Sequence, residues 1–336
     1  MIRGLEARRV EADWAPAAAA PWYTLRRGPD GQDHAFLSYR GDGCVFLRED
    51  GLCAIHALYG AESKPGFCRS FPIELVEEPR GIAVVARPAC DRLFESSRDG
   101  QPLSEVAAEV YAQRRLAPRR RFAPERVETL PGVWLDTPRW LSLEDALREA
   151  LWEHREDPEL RVARLVRRLA AESGVAPPEP RLPAYQLAAR AVFEALRIYL
   201  GFILQGEAGA PAHRVAFIQA VLSDVEEARY APELRAPLTP EAMDYAGLLL
   251  RSALLAKDVH TLGSVSAGLG EWLAGMLLAV AVHRVGSDEP VTAADLARVH
   301  SRWVKLAAHP AIREVLRKAR PALVDLVLHA GAPQEN

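Results

Sequence analysis

The sequence has few cysteines, no excess of charge of one sign and no long apolar run. Its four cysteines lie between residues 44 and 90, and residues 91–336 contain none. The 42 Lys and Arg residues nearly balance the 45 Asp and Glu residues, which gives a formal net charge of -3. Bulk charge therefore gives no reason to expect binding to nucleic acid or to an anionic membrane surface.

The most apolar stretch, residues 273–282, ends at His283 and Arg284 and has about half the length that a helix needs to cross a bilayer. We expect a buried helix there and no membrane span. The start of the chain carries scattered charges, and the apolar run at residues 17–20 is too short for an export signal. These features favour a cytoplasmic protein, in which thiols stay reduced and disulfides are rare.

The distribution of cysteine divides the chain into two predicted domains. Residues 1–100 form a metal-binding cysteine module with an irregular lead-in over residues 1–40, and residues 101–336 form an α-helical domain. Apolar segments on both sides of residues 77–80 predict a short hairpin in the module. The expected fold is therefore mainly α, with a small N-terminal α+β module packed on a helical body.

Helical periodicity and helix-start signals dominate the chain beyond residue 100. Three pairs of residues have the pattern of an N-cap: Ser142 and Asp145, Thr239 and Pro240, and Thr292 and Asp295. The periodicity predicts helices near residues 102–115, 142–155, 158–173, 184–205, 212–229, 240–257, 265–284, 292–307 and 310–330. The proline-rich segments 116–139 and 174–183 are predicted connectors.

Three sets of side chains in the helical part give only weak indications of function. The basic run between residues 114 and 126 is interrupted by Pro118 and Pro124 and matches no known nucleic-acid module, so we expect a solvated linker, with contact to nucleic acid or an acidic protein as the alternative. One set at near-helical spacing is expected to be core: Tyr185, Phe193, Ile198, Tyr199 and Phe202. Six polar residues are candidates for lining a cleft: Asp244, Tyr245, Asp258, His260, His283 and His300.

The candidate metal ligands are Cys44, Cys53, Cys68 and Cys90. Their spacings lack the C-x2-C knuckle of zinc fingers, so spacing alone is a weak indication. Each cysteine lies at a predicted turn or element edge, where the backbone can direct several thiolates toward one ion. Four thiolates can complete a tetrahedral zinc site or hold a [4Fe–4S] cluster. Two disulfides, or buried and unreactive thiols, are the alternatives.

A resemblance to a known family is carried by residues 44–72. This segment has the sequence CVFLREDGLCAIHALYGAESKPGFCRSFP. Its elements C-x-F-L, D-G-x-C-x-I-H, K-P and C-R-x-F-P occur in the order typical of the YkgJ-type cysteine-cluster proteins, also called the zinc- or iron-chelating domain family. That family includes the flagellin lysine-N-methylase (FliB)-like proteins. The resemblance covers residues 35–95, and Cys90 matches the cysteine that usually follows the hairpin.

The chain departs from this family over residues 1–43, which lack the further group of closely spaced cysteines that members usually carry. The resemblance therefore implies one four-thiolate site, holding an iron–sulfur cluster or zinc, with a metal-free relative as the alternative. Lys64, Arg69 and Arg87 could offset the negative charge of a thiolate-bound cluster. His56 is an alternative ligand in place of one thiolate.

The FliB-like resemblance also implies methyl transfer from S-adenosylmethionine to the side-chain amine of a protein lysine, in a pocket formed by the helices. The sequence lacks the strand, glycine-rich loop and helix of a Rossmann-type methyltransferase and the C-x3-C-x2-C run of a radical enzyme. We interpret the glycines of residues 263–270 as an interhelical connector. The competing hypothesis is a non-enzymatic scaffold, in which the metal stabilises the module and the helices bind a protein partner.

Overall fold

The computed structural model of the chain describes residues 23–27, 33–37, 39–40, 43–48, 53–60, 63–65, 68, 71–87, 93, 98–99, 102, 105, 119–153, 156–176, 185–206, 212–231, 234–308 and 310–331. Three predicted features lie outside these residues. They are the start of the chain, nearly all of the helix predicted at 102–115, and Cys90.

The described residues form ten α-helices, which confirms a mainly α fold. Helix α1 covers Ala54–Tyr59. The helices of the body are α2 Thr137–Glu153, α3 Pro158–Ser173, α4 Tyr185–Gly206, α5 Ala212–Tyr230, α6 Pro240–Leu255, α7 Val265–Gly286, α8 Ala293–Ala307, α9 Pro310–Lys318 and α10 Arg320–Gly331. A single 3-10 turn, Asp258–His260, connects α6 to α7.

Short strands precede the helical body. They are β1 Tyr23–Arg27, β2 Asp33–Leu37, β3 Tyr39–Arg40, β4 Gly43–Cys44, β5 Ile73–Glu78, β6 Gly81–Ala86, β7 Arg119–Arg121, β8 Arg126–Leu130 and β9 Val133–Asp136. The hairpin predicted around residues 77–80 is formed by β5 and β6, and β7 adds to β5 in parallel. Within the segment predicted to be an irregular lead-in, β1 and β2 pair in antiparallel orientation.

Helix α7 is the centre of the body. Of its 22 residues, 17 are buried, and it contacts α3, α5, α8 and α10. By length and composition this helix could cross a membrane, but 94% of its most apolar window is buried inside the protein. This packing is typical of a core helix and confirms the burial expected for residues 273–282.

Helix α7 begins with a side-chain cap, because Ser264 accepts a hydrogen bond from the Ala267 N–H at 3.3 Å. The interpretation of residues 265–270 as a connector is therefore wrong.

Two glycines let α7 approach other backbone segments closely. A Cβ atom at Gly268 would lie 2.1 Å from the carbonyl oxygen of Val259, and one at Gly270 would lie 2.2 Å from that of Leu323. Because the obstacles are backbone atoms, they cannot move aside as a flexible side chain would.

We expect Gly268→Ala to lower the free energy of unfolding by about 1–3 kcal/mol, the usual cost of overpacking. Gly201→Ala is the matched control, since a Cβ there meets nothing within 4 Å. Alanine is the better helix former, so the control should stabilise the protein by about 0.5–1 kcal/mol. Urea unfolding of both variants gives the comparison. Equal stability of Gly268→Ala and the wild type would contradict the close packing of α7.

Three boundaries differ from the predicted ones for local reasons. Helix α2 begins at Thr137 instead of Ser142, because Asp136 Oδ1 accepts a hydrogen bond from the Arg139 N–H at 2.8 Å. The helix predicted at 310–330 is two helices, since Pro321 has no N–H with which to continue the first one. The connector predicted at 116–139 contains β7, β8 and β9.

The expectation that the apolar set on α4 is core is only partly correct. Phe193 is fully buried, but Ile198 is 47% exposed and Phe202 is 64% exposed. At 100° per residue these two side chains lie about 140° and 180° around the helix from Phe193. They therefore face away from the core.

The buried apolar side chains form two separate clusters. Val76 and Val85 of the β5–β6 hairpin belong to the large cluster that the helices form. The second cluster consists of Val45, Phe46 and Ile55, with Cys44 and Cys53 packed against it. The division of the chain at residue 100 stays a prediction, although the β5–β6 hairpin shares its core with the helical body.

Candidate functional site

The turn after β4 brings the first two cysteines together. The Leu47 N–H donates to the carbonyl oxygen of Cys44 at 2.8 Å, and the Ala54 N–H donates to that of Phe46 at 2.8 Å. Leu47 also forms an isolated antiparallel bridge with Cys53, which immediately precedes α1. These contacts join the backbone segments that carry Cys44 and Cys53.

The thiols of Cys44, Cys53 and Cys68 are free and partly buried. Burial raises the pKa of Cys68 to about 11, the charges of Cys44 and Cys53 add to this effect, and Lys64 opposes it. Burial also raises the pKa of Cys44. The charge of Cys53 adds to this effect, and a hydrogen bond from the Phe46 backbone opposes it. The charges of Cys44 and Cys53 thus act on the thiol of Cys68, and the charge of Cys53 acts on that of Cys44.

The predicted four-cysteine site stays a prediction. Within the described part of the chain, no group of three or more His, Cys, Asp or Glu side chains is arranged to hold a metal ion. The fourth cysteine, Cys90, lies outside the described residues. The donors are of the right type, since thiolates suit zinc and iron–sulfur clusters.

The side chains predicted around the cysteines have different surroundings. Lys64 acts on the thiol of Cys68 through its charge. Arg87 pairs with the neighbouring strand, where its Nε lies 3.1 Å from Glu74 Oε2. His56 is exposed on α1, and Arg69 lies outside the described residues.

A second candidate site is a cavity in the helical body. It has a volume of about 80 Å³, is partly open to solvent, and lies between the β5–β6–β7 sheet, α6, α7, α8 and α9. Trp272, Trp303 and Leu249 contribute apolar surface. None of the cysteines that the structure describes lines it.

Ion pairs occupy one wall of this cavity. Arg120 pairs with Asp258, donates to the carbonyl oxygen of Ala256 at 2.7 Å and has its Nε 3.6 Å from Glu74 Oε1. Arg87 pairs with the same glutamate. The solvated-linker prediction is therefore wrong for Arg120, because β7 carries this arginine to a partly buried position where two carboxylates meet it.

The lining also includes Glu271 on α7 and Arg313 on α9. Burial raises the pKa of Glu271 to about 8, the charge of Asp258 adds to this effect, and Arg313 opposes it. Glu271 is therefore largely protonated at neutral pH. Its sequence signal is that it is the one acid in the apolar helix α7, whereas Arg313 lies on a helix with several charged residues and has no such signal.

Two buried polar atoms of the cavity lining lack hydrogen-bond partners among the described residues. They are Nδ1 of His300 and Nε1 of Trp272. Burial lowers the pKa of His300 to about 3, so its ring is neutral. Buried polar groups are nearly always hydrogen-bonded in native proteins, and an unpartnered pair of this kind indicates water or a ligand.

The six predicted cleft residues separate in the structure. Asp258 and His300 line the cavity together. His260 packs on Phe122 and Trp140, with ring centroids 4.5 and 5.0 Å away. The others serve packing or pairing: Tyr245 is buried, His283 pairs with Asp295, and the charge of Asp244 acts on Arg161.

A buried ion cluster lies near this cavity and joins the hairpin to the helices. Lys257 Nζ lies 2.7 Å from Glu78 Oε2 and also contacts Glu144, while Arg80 bonds Glu78 at 2.9 Å. Burial raises the pKa of Glu144 in spite of Lys257. Burial also tends to raise the pKa of Glu78, but Lys257 and Arg80 outweigh it and the net pKa is lowered.

No family model, curated protein or solved structure matches the chain. The resemblance of residues 35–95 to the YkgJ-type family therefore stays a prediction. The methyl transfer that it implies also stays a prediction, because nothing in the described ranges supports S-adenosylmethionine in particular.

Proposed function

We propose that the protein binds a metal centre, an iron–sulfur cluster or zinc, in a small N-terminal α+β module carried on the helical body. The proposal is supported by the backbone contacts that join the segments of Cys44 and Cys53, and by the action of both cysteines' charges on the thiol of Cys68. By the family resemblance, Cys90 is the fourth ligand.

The apolar cluster beside these thiols supports a structural role for the metal. Among the described residues, three side chains are buried in it: Val45, Phe46 and Ile55. So few apolar groups supply little of the free energy that orders a chain, and small modules of this kind usually depend on a metal or disulfides. A thiolate-bound metal would cross-link the segment, and a cluster would also supply electron transfer.

We expect Cys68→Ser and Cys53→Ser each to lose most of the bound metal, because a serine hydroxyl is a poor ligand where a thiolate is needed. Iron, zinc and acid-labile sulfide in the anaerobically purified variants provide the measurement. His56→Ala is the control, since His56 is exposed on helix α1, which begins directly after Cys53. Retention of metal by Cys68→Ser, with loss in His56→Ala, would show that the ligands are assigned wrongly.

The absorbance of the same preparations separates the two kinds of centre. A brown protein with a broad band near about 400 nm and matching sulfide indicates an iron–sulfur cluster. A colourless protein with stoichiometric zinc indicates a metal-stabilised scaffold.

A further inference from the structure

The cavity of the helical body has an arginine that no carboxylate neutralises at close range. Arg120 and Arg87 pair with Asp258 and Glu74. Within the described ranges, Arg313 forms neither a hydrogen bond nor an ion pair. Glu271, on which the charge of Arg313 acts, is largely protonated at neutral pH. The cavity therefore has one guanidinium group with its donors unused.

Unused donors and apolar walls occur together in this cavity. The indole N–H of Trp272 is buried without an acceptor, and the ring of His300 is buried with its Nδ1 unpartnered. The side chains of Trp303, Leu249 and Ala253 provide an apolar surface between them. A concave site with a few polar groups on apolar walls is the usual form of a small-molecule pocket.

We propose that this cavity binds a small organic carboxylate, with the acid group beside Arg313 and the indole N–H of Trp272, and the apolar part of the molecule against Trp303. A guanidinium group binds a carboxylate through two parallel charged hydrogen bonds, and the indole N–H adds a third donor. This ligand supplies acceptors to the groups that lack them. The site is independent of the metal centre proposed for the cysteine segment.

An amine is the less favourable ligand in this cavity. It would lie near the charge of Arg313, and like charges in a partly buried site repel strongly. It could form an ion pair with Glu271 only after this carboxyl lost its proton. An anion has neither cost, because a protonated Glu271 can donate a hydrogen bond to it.

The affinity for a carboxylate should fall as the pH rises through 8, since Glu271 then ionises and repels the ligand. The other groups that face this part of the cavity come from several elements: Asp258, Arg120, Glu74, Arg87, Arg313 and His300. The imidazole of His300 stays neutral across this range. From pH 6.5 to 9.5 we expect about a tenfold loss of affinity.

Calorimetric titration of the full chain with benzoate, hexanoate and indole-3-acetate tests the proposal. Benzylamine and benzamide are the cationic and neutral probes of similar shape. We expect at least one carboxylate to bind and both controls to bind at least about tenfold more weakly. Stronger binding of benzylamine, or no binding of any of the three carboxylates at millimolar concentration, would overturn the proposal.

Variants locate the binding. Arg313→Gln should weaken carboxylate binding at least about tenfold, and Trp272→Phe should weaken it several-fold because it removes only the N–H. Arg317→Gln is the control, since Arg317 lies on the same helix and pairs with Glu314 at 3.2 Å outside the cavity. The Glu271→Gln variant should bind the carboxylate with equal affinity at pH 6.5 and at pH 9.5, roughly the limits over which Glu271 ionises in the wild type. Wild-type affinity in both Arg313→Gln and Trp272→Phe would place the ligand elsewhere and refute the assignment.

Discussion

Replacing Lys257 by Met is expected to lower the free energy of unfolding by about 3–5 kcal/mol, the cost of removing one partner from a buried ion cluster. The side chains of Lys257, Glu78 and Glu144 are only 1%, 8% and 0% exposed. Without the ammonium group, Glu144 would keep, among the described residues, only the longer contact with Arg80, at 3.7 Å, in a site with little water. Lys257 has a φ of 59°, and Met at this position has the same backbone cost as Lys, so the change reports on charge.

Urea unfolding at neutral pH measures this loss. Lys318→Met is the matched control, because Lys318 is exposed at the end of α9 and should change stability by less than about 0.5 kcal/mol. Adding Glu144→Gln to Lys257→Met should restore part of the loss, since one uncompensated charge is then removed. Wild-type stability of Lys257→Met would show that the ion cluster does not hold the hairpin to the helices.

Removing the proposed metal is expected to unfold the segment that carries Cys44, Cys53 and Cys68 and to leave the helical body folded. The apolar clusters of the two parts are separate, and the smaller one contains three buried side chains, Val45, Phe46 and Ile55. Amide hydrogen exchange in α1 should accelerate at least about a hundredfold after chelation, because metal binding supplies the folding free energy of such sites. Exchange in α7 should stay unchanged, since that helix lies in the main core.

Exchange rates in α1 that do not change after complete removal of the metal would rule out this structural role. Equal acceleration in α1 and α7 would show that the two parts unfold together. Treatment of Cys68→Ser with the same chelator is the control, because a variant without bound metal should already exchange rapidly in α1.

Helices could be predicted from the sequence wherever the signals are local. The Thr292 hydroxyl accepts from the Asp295 N–H at 3.3 Å, and Thr239 accepts from Ala242 at 3.2 Å, as their spacings predict. Helix α3 has the predicted bounds, and α7 begins at the predicted residue. Capping and amphipathic periodicity depend on residues three or four apart, which a single sequence displays.

Contacts between distant residues could not be predicted in this way. Lys257 has the appearance of the last residue of a helix, yet it turns into the left-handed region and meets Glu144, which is 113 positions earlier. Strand β7 has the composition of a solvated basic linker, and only its parallel pairing with β5 shows that it belongs to a sheet. Such pairings depend on tertiary packing, which composition and periodicity do not specify.

The two candidate sites differ in the same respect. The cysteines attract attention because thiols are rare and clustered in this chain, so the metal prediction could be made from the sequence. The cavity contains common residues, and nothing in the sequence sets Arg313 apart from the other charged residues of its helix. Its place in the cavity lining is visible only in three dimensions.

Elemental analysis of the anaerobically purified wild-type chain tests the metal centre most directly. Iron, zinc and acid-labile sulfide are measured in protein whose helical content confirms that it is folded. One zinc ion per chain, or four iron ions with matching sulfide, is the predicted result. A folded chain with neither metal would contradict it.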